Sequence, residues 1–296
     1  MTIEFNCPNC GALIAFDSRH AGKRAKCLAC GQKFLIPAQS FERPKKIEPE
    51  RVKEEPVPGF YRAVAIDSWK IFANPRNATT LVFVTTVVCF RFFLAQACCL
   101  NHLASIIIWG WLFGFYLNVI SRTAIDDDLL PEIDLGTSVT FLWYIIEPFF
   151  VFSYTLFLVE LPFFIGLSLL HDSGVTFRNV WSDFDTPHLV LQVLSAGGLF
   201  LFPAAILTTA VGKDFTLLRP DYLLAPVCRA FVPYLITGAL LAATCLVEMH
   251  TTQYTGADVA VTAQYLAINL LVQVLAIIAM RSIGLLYRHY GCYFRW

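Results

Sequence analysis

The chain has 296 residues, of which 57% are hydrophobic and 15% aromatic while only 15% are charged. That balance excludes an ordinary soluble globular protein and fits an integral membrane protein. The formal net charge is zero, yet 13 of the 22 Lys and Arg residues precede Thr79, so the signs of the segments carry more information than their sum.

The first element is built on cysteine. Cys7-Pro-Asn-Cys10 and Cys27-Leu-Ala-Cys30 are separated by the 16 residues from Gly11 to Lys26. Two C-x2-C knuckles at this separation can close four thiolates into a tetrahedron around one zinc ion. A redox dithiol needs only one such pair, and no thioredoxin-like βαβ pattern surrounds either knuckle, so a metal is the stronger reading. Gly11 and Gly31 each follow a knuckle, where a tight turn favours glycine. Phe5, Leu13, Ile14, Phe16, Phe34 and Ile36 supply a small apolar core, and His20 reads as a surface residue rather than a ligand. The run FNCPNCGALIAFDSRHAGKRAKCLACGQKFLIP resembles the bacterial finger-like zinc ribbon family, in which an Ala-Gly-Lys segment precedes the second pair. The resemblance implies a closed structural site of Cys7, Cys10, Cys27 and Cys30 holding one zinc ion, with no open position for catalysis.

Five basic side chains (Arg19, Lys23, Arg24, Lys26, Lys33) face Glu4 and Asp17 in this module. Zinc with four thiolates adds two negative charges, and the residual charge of about +1 makes nucleic acid an unlikely partner. A protein contact is the better expectation. The opening MTIEFNCPNC has no basic n-region or apolar h-region, which keeps the module on the side where the chain is made.

Residues 39–58 (QSFERPKKIEPERVKEEPVP) hold five acidic residues, five basic ones and four prolines. With almost nothing to bury, this stretch reads as a flexible charged linker between a domain at 1–38 and one at 59–296. Residues 60–73 project as an amphipathic interfacial helix with Tyr61, Val64, Ala65, Trp69 and Phe72 on one face. Asn74-Pro75 ends it.

Six spans follow, at about 79–99, 103–121, 146–170, 188–211, 231–249 and 261–281. With a cytoplasmic N-terminus, 20 of the 22 Lys and Arg residues fall on the inner side, leaving Arg178 outside and Arg91 within a span. This positive-inside pattern predicts two cytoplasmic termini. The run from Val139 to Leu170 is too long for one crossing, and Pro148 predicts a break after an interfacial segment ending at Glu147. Arg219 to Pro226 predicts a second short interfacial helix.

Charged groups within a bilayer are costly, and Arg91 and Glu160 lie about 18 Å and about 16 Å into their helices. Their similar depth predicts an ion pair joining spans one and three; a rival role for Glu160, beside Pro162, is proton or ion translocation. His102, His171, His188 and His250 all fall at the predicted outer boundary, where imidazoles near Asp172 and Glu248 form a speculative metal or proton-sensing cluster. Gly110-x3-Gly114 permits close helix packing. Asn77-Ala-Thr79 is a glycosylation pattern on the wrong side of the membrane, and Asp126 to Asp128 read as a solvated loop.

Phe115-Tyr-Leu-Asn-Val-Ile-Ser-Arg122, the acidic run and Leu130-Pro-Glu-Ile-Asp134 resemble an uncharacterised bacterial polytopic domain, as does the closing Arg281-Ser-Ile-Gly-Leu-Leu-Tyr-Arg-His-Tyr290. That resemblance implies the bacterial inner (plasma) membrane and supplies no catalytic residues.

The expected architecture is therefore a small β zinc ribbon plus an all-α polytopic membrane domain of about six transmembrane helices. No nucleophile elbow, P-loop, H-E-x-x-H or dinucleotide fingerprint occurs, so no enzyme is expected. A membrane-tethered adaptor or regulatory protein with a cytoplasmic protein partner leads. A small-solute transporter, with Asn118, Asn269, Gln273 and Glu160 as lining candidates, is the alternative.

Overall fold

A computed structural model describes residues 2–38, 55–94, 100–133, 138–170, 175–177, 179–181, 185–212, 218–256 and 258–294. The chain divides into two units, Met1–Glu54 and Glu55–Trp296.

The first unit is two antiparallel hairpins. β1 (Thr2–Asn6) pairs with β2 (Leu13–Asp17), and β3 (Arg24–Lys26) with β4 (Lys33–Leu35). Each cysteine pair occupies a hairpin loop, and the two loops repeat one hydrogen-bond scheme. Cys7 N–H donates to Ala12 and Gly11 N–H to Cys7, as Cys27 N–H donates to Gln32 and Gly31 N–H to Cys27. Gly11 and Gly31 sit at φ 72° and 73°, a left-handed conformation that penalises any Cβ. The hairpins join where Gly22 N–H donates to Ile36 and Ile36 N–H to Lys23.

Strand alternation selects the core. Ile3 and Phe5 point inward from β1 and meet Cys7, Cys27, Phe34 and Ile36, with Phe5 and Phe34 edge to face. Ile14 and Phe16 pack against this core, so the two-residue period turns Leu13 outward, contrary to its expected core position. The interior is small, as short hairpins dictate.

The second unit is helical. It opens with α1 (Phe60–Arg62), a wide π turn over Ala63–Asp67, and α2 (Ser68–Ala73). The Ser68 hydroxyl donates to the Ala63 carbonyl across that turn. The extra residue in the turn rotates the register, so Phe60, Val64, Ser68 and Ile71 are buried, whereas Tyr61, Ile66 and Trp69 stay exposed. Of the projected face, Val64 is buried and Phe72 packs against the core, whereas Tyr61 and Trp69 stay exposed. Val57 exchanges hydrogen bonds with His289, through its N–H to the backbone carbonyl and its own carbonyl to the ring. Residues 55–58, read as linker, accordingly belong to the helical unit; 39–54 lie outside the described residues.

Then come α3 (Ala78–Leu94), α4 (Leu100–Ala124), α5 (Ser138–Val159), α6 (Leu161–Leu169), α7 (Thr186–Leu207), α8 (Pro220–Arg229), α9 (Phe231–Met249) and α10 (Val259–Tyr290). Among the described residues six stretches are long and apolar enough to cross a membrane: Pro75–Leu94, Ala104–Ala124, Leu142–Val159, Thr186–Gly212, Phe231–Met249 and Val259–Tyr293. The last exceeds its expected length by more than two turns.

α10 packs against α3, α4, α7 and α9 and buries Ile277, Met280, Ile283, Leu285 and Leu286. Glycines set the closest approaches. A Cβ on Gly110 would lie 2.5 Å from the Ile145 carbonyl oxygen, and one on Gly284 would lie 2.7 Å from that of Ile120. Gly114 faces Pro148 in the same α4–α5 contact. The helix runs unbroken through Pro148 and breaks at Glu160 instead, just before Pro162. Proline removes one backbone bond, which a tightly packed neighbouring helix can tolerate.

Candidate metal centre

The four cysteine sulfurs all lie within 4.8 Å of one another. Cys7 and Cys30 Sγ are 3.6 Å apart, and Cys10 and Cys27 Sγ 3.8 Å. A tetrahedron with metal–sulfur bonds of about 2.3 Å has edges of about 3.8 Å, so the donor set fits one four-coordinate ion. Each knuckle supplies one buried cysteine (Cys7, Cys27) and one exposed cysteine (Cys10, Cys30).

The electrostatics of the bare thiols also call for a cation. The Gln32 backbone N–H, helped by Cys10, Asn9 and Cys7, brings Cys30 down to about 6. The Cys7 thiol is also lowered, chiefly by the Cys10 backbone N–H. Cys10 moves the other way. The Ala12 N–H favours its thiolate, but the Cys30 thiol, burial, and the Cys7 and Cys27 thiols together push it up to about 12. Four sulfurs this close cannot all ionise without a compensating charge, and a divalent ion removes that conflict. Among the described residues only these four form a cluster of three or more His, Cys, Asp or Glu ligands able to share an ion.

The other expected sites fare differently. Arg91 pairs with Glu248, Nη2 to Oε1 at 2.7 Å, and its guanidinium lies 4.4 Å from the Trp109 ring centroid. It does not pair with Glu160. Arg91 is in the last turn of α3 and Glu248 in the last turn of α9, so both lie at helix ends, whereas Glu160 turns toward Gly198 on α7. His188 is buried in α7 and His250 is exposed at the end of α9. The His102 side chain and His171 lie outside the described residues, and His188 and His250 join no metal-ligand cluster among those described.

The acidic run is a solvated loop, as expected, and its side chains are also engaged. Asp128 accepts from Arg281 at 2.7 Å and from Arg288 at 3.2 Å, Arg288 also reaches Asp126, and Arg122 pairs with Asp127 at 3.5 Å. These contacts fasten the end of α4 to α10. Asn77 is likewise structural: its side chain donates to the Ile71 carbonyl and accepts from Leu130 N–H, while Thr80 donates to the Pro131 carbonyl. Alternating charge between Asp126–Asp128 and Arg281–Arg288 was the available sequence signal for the first of these. Glu248 was visible as a lone acid near a span end, but nothing in the sequence assigned its partner.

Comparison of the chain with protein-family models, with curated proteins and with solved structures finds no match. The cysteine geometry and the six apolar helices therefore carry the functional reading by themselves.

Proposed function

We propose that this is a multi-pass membrane protein whose N-terminal unit is a structural zinc ribbon acting as a docking head for a cytoplasmic protein partner. The observation that carries the reading is the close set of four sulfurs on a compact unit distinct from the one that holds the six apolar helices. Four cysteines leave no coordination position for substrate, so the ion organises a surface instead of performing chemistry. That surface exposes apolar groups: Leu28, between Cys27 and Cys30, is fully exposed, and Leu13 is 72% exposed. Exposed leucines on so small a unit suit a protein contact. The charge distribution along the chain supports a cytoplasmic position for both termini. Tyr61 and Trp69, exposed near the first apolar helix, suit the membrane–water boundary.

The transport alternative is weaker. The Gln273 side chain accepts from the Tyr116 hydroxyl at 2.6 Å, and the Asn269 amide donates to the Thr252 and Tyr265 carbonyls. These groups are satisfied by the protein and pin helices together, and Asn118 is exposed.

Partner recovery from native membranes by crosslinking tests the reading, with metal content measured on the same samples. Intact protein is expected to hold one zinc per chain and recover a discrete partner. Leu28→Glu keeps the zinc and loses the partner, and Cys27→Ser with Cys30→Ser loses both. Identical partners for all three proteins would defeat the docking role.

A further inference from the structure

Glu160 has no part in the docking reading, and its surroundings are unusual. It is 7% exposed and lies at the break between α5 and α6. Pro162 has no N–H to offer the Leu158 carbonyl four residues back, so the chain around the break is rich in acceptors and poor in donors. On the facing helix Gly198 allows a very close approach: a Cβ there would lie 2.7 Å from Glu160 Oε1 and 2.7 Å from the Val159 carbonyl oxygen. Two acceptor oxygens thus converge on one glycine. The Ser195 hydroxyl and the Leu199 backbone N–H act on the carboxyl group, but Oε1 itself makes no hydrogen bond. Gly198 is close to midway along the apolar stretch Thr186–Gly212, so this oxygen sits deep within the bundle.

Among the described residues no basic side chain acts on the carboxyl. Arg91 is engaged by Glu248. Of the helices packed here, α5 carries Tyr144, Glu147 and Tyr154 and α7 carries His188, and none of these is among the groups acting on Glu160. An uncompensated carboxylate in such surroundings is expensive. The species that relieves it must be positive and small enough to fit between crowded oxygens. Hard metal cations take about six oxygen ligands, more than this glycine-backed corner offers. A proton needs no such shell, and on Oε1 it turns an unpartnered acceptor into a donor.

We propose that Glu160 is a proton-binding site within the helical bundle, its carboxyl group taking up and releasing a single proton at the α5–α6 break. The inference is independent of the zinc ribbon and its partner.

The test uses the full-length protein reconstituted in phosphatidylcholine vesicles and treated with dicyclohexylcarbodiimide, an apolar reagent that modifies protonated carboxyl groups. Peptide mass spectrometry locates the adduct, and infrared difference spectra between acidic and alkaline buffers follow the carboxyl stretch directly. The expected result is an adduct on Glu160 that falls about tenfold for each pH unit above the titration midpoint. It is unchanged by sodium and absent from Glu160→Gln, which also lacks the protonated-carboxyl band. Should Glu160→Gln fail to fold, the pH dependence in the native protein decides alone, with exposed Glu55, outside the apolar stretches, as the internal reference. A carboxylate signal for Glu160 at every pH at which the protein stays folded overturns the proposal. So does protection by sodium at constant pH, which identifies a metal-cation site instead.

Discussion

The two units solve the problem of a stable interior in opposite ways. The β unit encloses Ile3, Phe5, Phe34 and Ile36 with two cysteines, and its hairpins are short. The helical unit buries apolar side chains along the length of α10 and brings backbones into contact at Gly110, Gly198 and Gly284. One unit gathers four polar atoms close enough to share an ion, the other matches surface over many turns. The difference teaches where each is fragile: the first fails through chemistry at one point, the second through a change of shape or charge in its packing.

Removing the metal should give the largest effect. Structural zinc sites contribute about 10–16 kcal/mol of apparent binding energy, so Cys27→Ser with Cys30→Ser, or chelation, should unfold the β unit completely. Limited proteolysis is expected to cut at Arg24 and Lys26 while the helical unit keeps its melting temperature. Simultaneous loss of both units would break the contrast. The same dependence appears on acidification. Thiolates must be free of protons to bind metal, and because Cys30 is held down at about 6, its contribution is present above its unfolded value and lost as pH falls through about 6. Zinc release measured with a chelating dye should therefore rise as the pH drops below that range, with helical content unchanged.

Within the helical unit, Glu248→Gln leaves the Arg91 charge partly buried and should cost about 2 kcal/mol, less than a fully buried pair because the side chains are 13% and 24% exposed. A double-mutant cycle with Arg91→Gln in a detergent unfolding assay measures the coupling, and the same cycle between Arg91 and Glu160 should show none. Gly110→Ala forces α4 away from the Ile145 carbonyl and should cost about 1–2 kcal/mol, read from the same assay. Smallest is Leu28→Glu: its exposed side chain packs against nothing, so stability should stay within about 0.5 kcal/mol.

Much of this division is legible in the sequence because it is written in short-range patterns. The cysteine spacing, the glycines after each knuckle and the apolar runs each specify their own element without reference to distant residues. Long-range pairing is different. Arg91 could be matched to an acid only by depth, and depth favours Glu160 over Glu248; which helices are neighbours decides, and that is a property of the packed bundle. Leu13 and part of the face of residues 60–73 differ for local reasons: strand alternation admits Ile14 but not its neighbour Leu13, and hydropathy does not reveal the π turn. Pro148 lies within an unbroken α5, so a proline in the sequence does not by itself mark a helix end.

The paired hydrogen bonds between Val57 and His289 have a mechanical consequence. They fasten the first residues of the helical unit to the last turn of the helix that touches α3, α4, α7 and α9. A pull on the chain ahead of Glu55 meets this clasp before it meets any membrane-length helix, and the load passes along the axis of α10 into four neighbours at once. The clasp is a strain relief: tension generated at the N-terminal side is spread through the bundle instead of unwinding its first helices one by one.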